Sequence, residues 1–189
     1  MIRLGWRALS SSGYRGRISE RFGGGAPDDR RCDLWIHAVS VGEVKAATPL
    51  VQRLLKEKKH LDIIITTMTP TGAQQVVDTF GSEVRHRFAP YDYPFAIRRF
   101  ITRFSPRLLI IMETEIWPNM IRICHQRGIA VAMANVRLSA RSARGYRFVL
   151  PLVRDGLNKV SLFAAQSEAD RKHLLSLGID ASRTHRTGS

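Results

Sequence analysis

Three acidic side chains stand apart in a chain that carries 30 Lys and Arg against 16 Asp and Glu. Glu43 follows Gly42 at the mouth of a candidate helix. A carboxylate placed there can face a cleft and, if partly desolvated, act as a general base. It can equally complement the positive helix N-terminus, a common use of an acid in a first turn. Glu113 and Glu115 bracket Thr114 directly after the apolar run Leu108–Met112. Alternation along an extended segment puts both on one side, where they could share a cavity. The plain alternative is that one of them caps the helix opening near Pro118. A basic group lies further on. Arg137, Arg141 and Arg144 recur at the i, i+4, i+7 spacing of one helical face, and no acid intervenes between Asn135 and Arg154. Guanidinium offers the paired donors that phosphate prefers, whereas a solvated basic face is the usual fate of such a run.

These residues need elements to hold them. Leu34–Val39, Asp62–Met68, Arg107–Met112, Ile129–Val136 and Val160–Ala165 read as strands, and Val84–Phe88, with Arg85, His86 and Arg87 inside it, as a weaker one. Helices alternate with them. Val44–Lys58 puts Val44, Ala47, Leu50, Val51, Leu54 and Leu55 on one face; others run from Gly72 to about Phe80, over Pro94–Phe104 and from Pro118. A long helical stretch follows Val136 to about Leu157, kinked at Pro151, and a last helix spans Ser167–Leu177 with Ser167 as N-cap and Asp170 in its first turn. Apolar strands alternating with helices predict an α/β fold, a Rossmann-like parallel sheet with helices on both faces. Ligands of such sheets sit at the carboxyl ends of the strands. The polar, Gly and Pro residues gather in those loops, among them Ser40 to Glu43, Thr69 to Gly72, Pro90 to Pro94, Glu113 to Asn119 and Asn135 to Ser139. The dinucleotide fingerprint GxGxxG and the P-loop GxxxxGK[ST] are both missing, which removes the main support for NAD- and ATP-type functions.

Composition narrows the function further. A length of 189 residues predicts one domain with a sizeable core, and the formal charge of +14 attracts polyanions. Nucleic acid is not the expected partner, because zinc-finger, RNP and basic GxxG patterns are lacking. Two cysteines 92 positions apart and six histidines without HxH or HExxH spacing predict neither a disulfide framework nor a metal site. The longest apolar run is far short of the roughly 20 residues that cross a bilayer, and no signal peptide is expected at the N-terminus. Residues 1–31 hold seven Arg and three acids before a Gly-rich turn, a basic lead-in suited to a membrane surface. Ile2, Leu4 and Trp6 near Arg3 and Arg7, and Phe148 to Leu150, would serve such contact or equally a core.

Six motifs stand in order: His37-Ala38-Val39-Ser40-Val41-Gly42-Glu43, Thr66-Thr67-Met68-Thr69-Pro70-Thr71-Gly72, Pro90-Tyr91-Asp92, Met112-Glu113-Thr114-Glu115-Ile116-Trp117-Pro118-Asn119, Asn135-Val136-Arg137-Leu138-Ser139-Ala140-Arg141-Ser142 and Ala165-Gln166-Ser167-Glu168. Together with the lead-in Tyr14 to Gly23, they resemble the N-terminal half of the 3-deoxy-D-manno-octulosonic acid (Kdo) transferases of Gram-negative bacteria. The resemblance implies a GT-B glycosyltransferase, two Rossmann-like domains facing across a cleft, that moves Kdo from CMP-Kdo to a lipid A precursor with inversion and without a metal. It places the protein at the cytoplasmic face of the inner membrane, with the glycolipid and the anionic membrane surface as partners and no cofactor. Glu43 then matches the general base and Glu113 the second acid. Ser40, Gly42, Thr71, Gly72, Glu115, Arg137 and Arg141 are expected on the acceptor side, the two arginines on the helical-face pattern more than on the family. Residues 32–189 would be the acceptor domain. Relatives continue beyond the point where this chain stops, so a C-terminal domain that binds CMP-Kdo is expected to be lacking and the chain alone to be inactive.

Overall fold

The computed structural model describes residues 17–25, 31–58, 60–139 and 154–188. Seven strands form one sheet: β1 (Leu34–His37), β2 (Ile63–Thr67), β3 (Arg85–Phe88), β4 (Leu108–Met112), β5 (Ala130–Val136), β6 (Leu162–Ala165) and β7 (Thr184–Arg186). All neighbours pair in parallel, in the order β3-β2-β1-β4-β5-β6-β7. The helices are α1 (Val41–Glu57), α2 (Pro70–Phe80), α3 (Pro94–Phe104), α4 (Pro118–Gln126) and α5 (Glu168–Ser176), with a further helical stretch at 154–158. The predicted Rossmann-like α/β fold is the one observed.

Successive strand side chains feed two separate cores, because a strand's side chains alternate between faces. Leu34, Ile36, Ile63, Ile65, Ile110 and Met112 join Val44, Ala47 and Val51 of α1 and Val76 and Phe80 of α2. Trp35, Ile64, Leu109 and Ile111 turn the other way, onto Ile97 and Phe100 of α3, Met120 and Cys124 of α4 and Leu174 of α5. Burying both faces is why these strands read as unbroken apolar runs. Pro70, Pro94 and Pro118 each start a helix, where a missing N–H is harmless. A full capping box opens α5, Ser167 and Asp170 each satisfying the other's backbone N–H.

Three features were not anticipated. The strand β7 is short and polar, and its Thr184 pairs with Phe163 at the sheet's edge. The segment Ile18–Phe22 of the lead-in forms a 3-10 turn seated on the sheet. There Glu20 accepts the Phe88 N–H at 2.8 Å, and the buried Arg21 donates to the Met68 carbonyl at 3.1 Å with its guanidinium 4.5 Å from the Phe88 ring centre. Arg137 lies in a non-helical loop after β5, so it does not open a helical face. Arg141, Arg144, the Pro151 kink, residues 1–16 and Phe148 to Leu150 lie outside the described residues.

Candidate active site

The strand order reverses direction between β1 and β4, which places the loop after β1 beside the loop after β4. Such a switch point opens a crevice at the carboxyl edge. Glu43 lies on one bank, and Glu113 and Glu115 lie on the other, although 70 positions separate Glu43 from Glu113 in sequence.

Glu43 stands in the first turn of α1 and is only 5% exposed. Its side chain folds back over the loop, accepting the Val39 N–H at 2.8 Å and the Ser40 hydroxyl at 3.2 Å. Among the described residues no cation pairs with it. Burial pushes its pKa up to about 7, and the negative charges of Glu115 and Glu113 push the same way against the Val39 hydrogen bond. The three carboxylates thus lie within electrostatic reach of one another. A carboxyl poised near neutrality can take up a proton and release it at ordinary pH.

The opposite bank is not the extended segment that the alternation predicts. Glu113 adopts φ 60°, a left-handed conformation uncommon for a side chain with a Cβ, and Asn135 on β5 does so at φ 55°. The Glu113 N–H donates to the Ala134 carbonyl at 2.8 Å, pinning the turn across the strand ends. Strained backbone of this kind persists where its surroundings over-determine it, and it gathers at functional sites. Glu115 accepts the Trp117 indole N–H at 2.9 Å, and burial raises its carboxyl above the ordinary range with Glu113 contributing. Neither acid caps α4. Asp92 does, accepting the Asn119 and Met120 N–H groups at 3.1 and 2.8 Å.

A buried polar column stands under the crevice. The indole of Trp35 donates to Thr66 Oγ1 at 2.8 Å, which also lies 3.0 Å from His37 Nδ1. The His37 ring meets Trp117 edge to face at 4.8 Å, so the column ends on the residue that holds Glu115. Burial pulls the His37 pKa down to about 3, and the ring stays neutral. Metal-type spacing among the histidines does not single out His37. A histidine closing an apolar strand just before Glu43 was the signal for this role.

The remaining predicted residues divide. Ser40 is half-buried and bonded to Glu43, and Gly42 is exposed, with only Ser40 Oγ near the place a Cβ would take, at 3.8 Å. Thr71 is exposed at the start of α2. Gly72 is buried instead, its missing Cβ allowing close approach to Thr69 and Thr67. Arg137 is exposed, with its backbone tied to Thr114 through the Arg137 N–H and carbonyl. Whether Arg141 joins it lies outside the described residues.

Residues 16–189 match the family described as 3-deoxy-D-manno-octulosonic-acid transferase (kdotransferase). The chain belongs to the Kdo transferase family. It is 43% identical over 188 residues to the 3-deoxy-D-manno-octulosonic acid transferase of Haemophilus influenzae, covering 98% of this chain and 44% of that protein. With the Bordetella pertussis transferase it shares 35% identity over 166 residues, 85% of this chain and 38% of the relative. The chain therefore spans less than half the length of these Kdo transferases. Among solved structures it resembles the UDP-GlcNAc 2-epimerase of Neisseria meningitidis bound to UDP-GlcNAc, with a TM-score of 0.61 at 15% identity over 82% of this chain and 46% of that one. That likeness is one of fold.

Proposed function

We propose that this chain is the acceptor-side domain of a two-domain GT-B transferase that moves Kdo from CMP-Kdo onto the sugar of a lipid A precursor. Glu43 is the general base. Its carboxylate takes the proton of the acceptor hydroxyl as that oxygen bonds to the anomeric carbon of Kdo. The bond from that carbon to the CMP phosphate breaks, and CMP leaves with the electron pair, so the anomeric configuration inverts. The step calls on no metal. Glu113 stabilises the charge that develops opposite. Ser40, Gly42, Thr71 and Glu115 border the acceptor, with Arg137 and Arg141 toward its phosphates. The single observation that carries this reading is the burial of Glu43 at the sheet's switch point beside two further acids.

Donor binding is assigned to the part of the relatives that this chain does not span. No described helix is long and apolar enough to cross a membrane, and the proposed workplace is the cytoplasmic face of the inner membrane, where a glycolipid acceptor is presented. Two experiments test the reading. In a full-length protein carrying this domain, Glu43→Gln should lower Kdo transfer from CMP-Kdo by about a thousandfold, in the range of a lost general base; near-normal turnover would remove Glu43 from the chemistry. The 189-residue chain should bind acceptor and transfer nothing. Robust turnover from it would overturn the division of labour between domains.

A further inference from the structure

The large apolar side chains exposed among the described residues are Ile18, Phe22, Val77, Tyr93, Phe95 and Leu162. They are not scattered evenly. Phe22, Tyr93 and Phe95 meet at one corner, where the loop after β3 enters α3. The Phe95 ring lies parallel to Phe22 at 6.2 Å and to Tyr93 at 6.0 Å, and Tyr91 meets Phe22 edge-on at 5.6 Å. Tyr93 and Phe95 remain 54% and 49% exposed in spite of this stacking. The Arg99 guanidinium sits 5.8 Å from the Phe95 ring centre, and Arg98, Arg99, Thr102 and Arg103 line a shallow trough beside Gly23.

The corner is built, not frayed. Gly23 has φ +75°, and a Cβ there would come within 2.3 Å of the Ala96 carbonyl oxygen and 2.7 Å of Arg99 Cβ. Only glycine lets the 3-10 turn sit down on α3 and bring Phe22 against Phe95. The same turn is anchored from below by Arg21. The charge is one-sided: α3 carries Arg98, Arg99 and Arg103 and no acid. Asp92, the nearest acid in sequence, is engaged in capping α4.

Exposed aromatic rings rimmed by arginines on a +14 chain match the chemistry of a lipid–water interface with negative headgroups. Rings enter the headgroup layer and guanidiniums meet phosphate. We propose that the corner formed by Phe22, Tyr93, Phe95, Arg98 and Arg99 is a docking surface for an anionic lipid bilayer. It belongs to the same carboxyl edge as Glu43, since residues 89–93 leave β3 at that edge. A bilayer seated there presents headgroups to the crevice, so this inference rests on the proposed lipid-borne acceptor and names the surface that meets it.

Sedimentation with phosphatidylethanolamine–phosphatidylglycerol vesicles, against phosphatidylcholine vesicles, tests the assignment. The protein should bind the anionic vesicles, and less so at high salt. Replacing Tyr93 and Phe95 together by Ser should lower the partition coefficient by about tenfold or more, and Arg98→Gln or Arg99→Gln by about fivefold each. Val77→Ser and Leu162→Ser remove smaller but likewise exposed apolar side chains elsewhere and should change it less than about twofold. If the double serine variant loses its fold, the two arginine variants carry the test alone. Unchanged binding in the corner variants, an equal loss in the two controls, or corner-dependent self-association without lipid binding would each overturn the proposal. Vesicle binding requires no turnover, so loss of it with Glu43-dependent transfer intact, or the reverse, separates this inference from the catalytic one.

Discussion

Along one edge of the sheet, the β1–β4 crevice and the β3–α3 corner make opposite use of solvent. In the crevice Glu43 is withdrawn from water, flanked by two acids and tied to backbone, and the loss of hydration is what lifts its pKa to about 7. At the corner the rings of Tyr93 and Phe95 are left in water beside exposed arginines. Removing a charge from water tunes its proton affinity, whereas leaving apolar rings in water stores an affinity for another surface. The net positive charge of the chain describes the corner well and the crevice not at all, because the crevice is a local acidic exception.

The largest effect that tests this contrast is a crossed one. Glu43→Gln should abolish most transfer in the full-length protein yet leave anionic vesicle binding within about twofold, because it alters no exposed ring or arginine. A vesicle defect in that variant would mean that the two regions are not independent. Next in size is a pH effect on stability. The folded pKa of Glu43, about 7, lies above its ordinary 4.5. Below pH 4.5 the group is protonated folded and unfolded and makes no difference. As pH rises from 4.5 to about 7 the unfolded chain ionises first, so folding stability falls, by roughly 3 kcal/mol at 1.4 kcal/mol per pH unit. Urea unfolding of the wild-type protein and Glu43→Gln across this range should show the wild type losing ground to the variant; parallel curves would mean that Glu43 is not desolvated in solution. The same carboxylate predicts that transfer rises with pH through about 7.

Smaller still is the effect beneath the crevice. Thr66→Val keeps the shape but strands the Trp35 indole N–H and the His37 Nδ1 in a dry core. The expected destabilisation is about 1–3 kcal/mol by thermal or urea unfolding. A change under about 0.5 kcal/mol would show that water satisfies the column, and that the crevice floor is wetter than the acids above it imply.

Much of this molecule was legible in its residues. Apolar runs marked five of the seven described strands, because burial on both faces leaves few polar positions. The edge strand β3, with Arg85, His86 and Arg87, was marked by its place in the strand–helix alternation. Pro94 and Pro118 in first turns and the Ser167–Asp170 pair marked helix starts through local geometry alone, while α2 opens at Pro70, two residues before the Gly72 start expected of it. The candidate acids were visible from their place after strands and from the family motifs. What escaped was non-local. The polar β7 has no apolar pattern to betray it and is held by pairing with β6. Capping of α4 comes from Asp92, 27 positions before Asn119, where local reading looked to Glu113 or Glu115. Arg137 fits a helical spacing but lies in a loop.

Periodicity, capping chemistry and strand-to-helix punctuation are local properties, and a chain carries them in its order of residues. They specify which segments are strands, which end of each strand is polar, and therefore which edge holds the candidate site. Strand order is not local. Placing β1 against β4 joins segments separated by the whole α1–β2–α2–β3–α3 excursion, and nothing in either segment names its neighbour. That adjacency, with the packing that excludes water around it, brings Glu43 near Glu113 and Glu115 and lifts its proton affinity toward neutrality. A carboxylate's type is written in the chain; its pKa belongs to the surroundings that folding assembles.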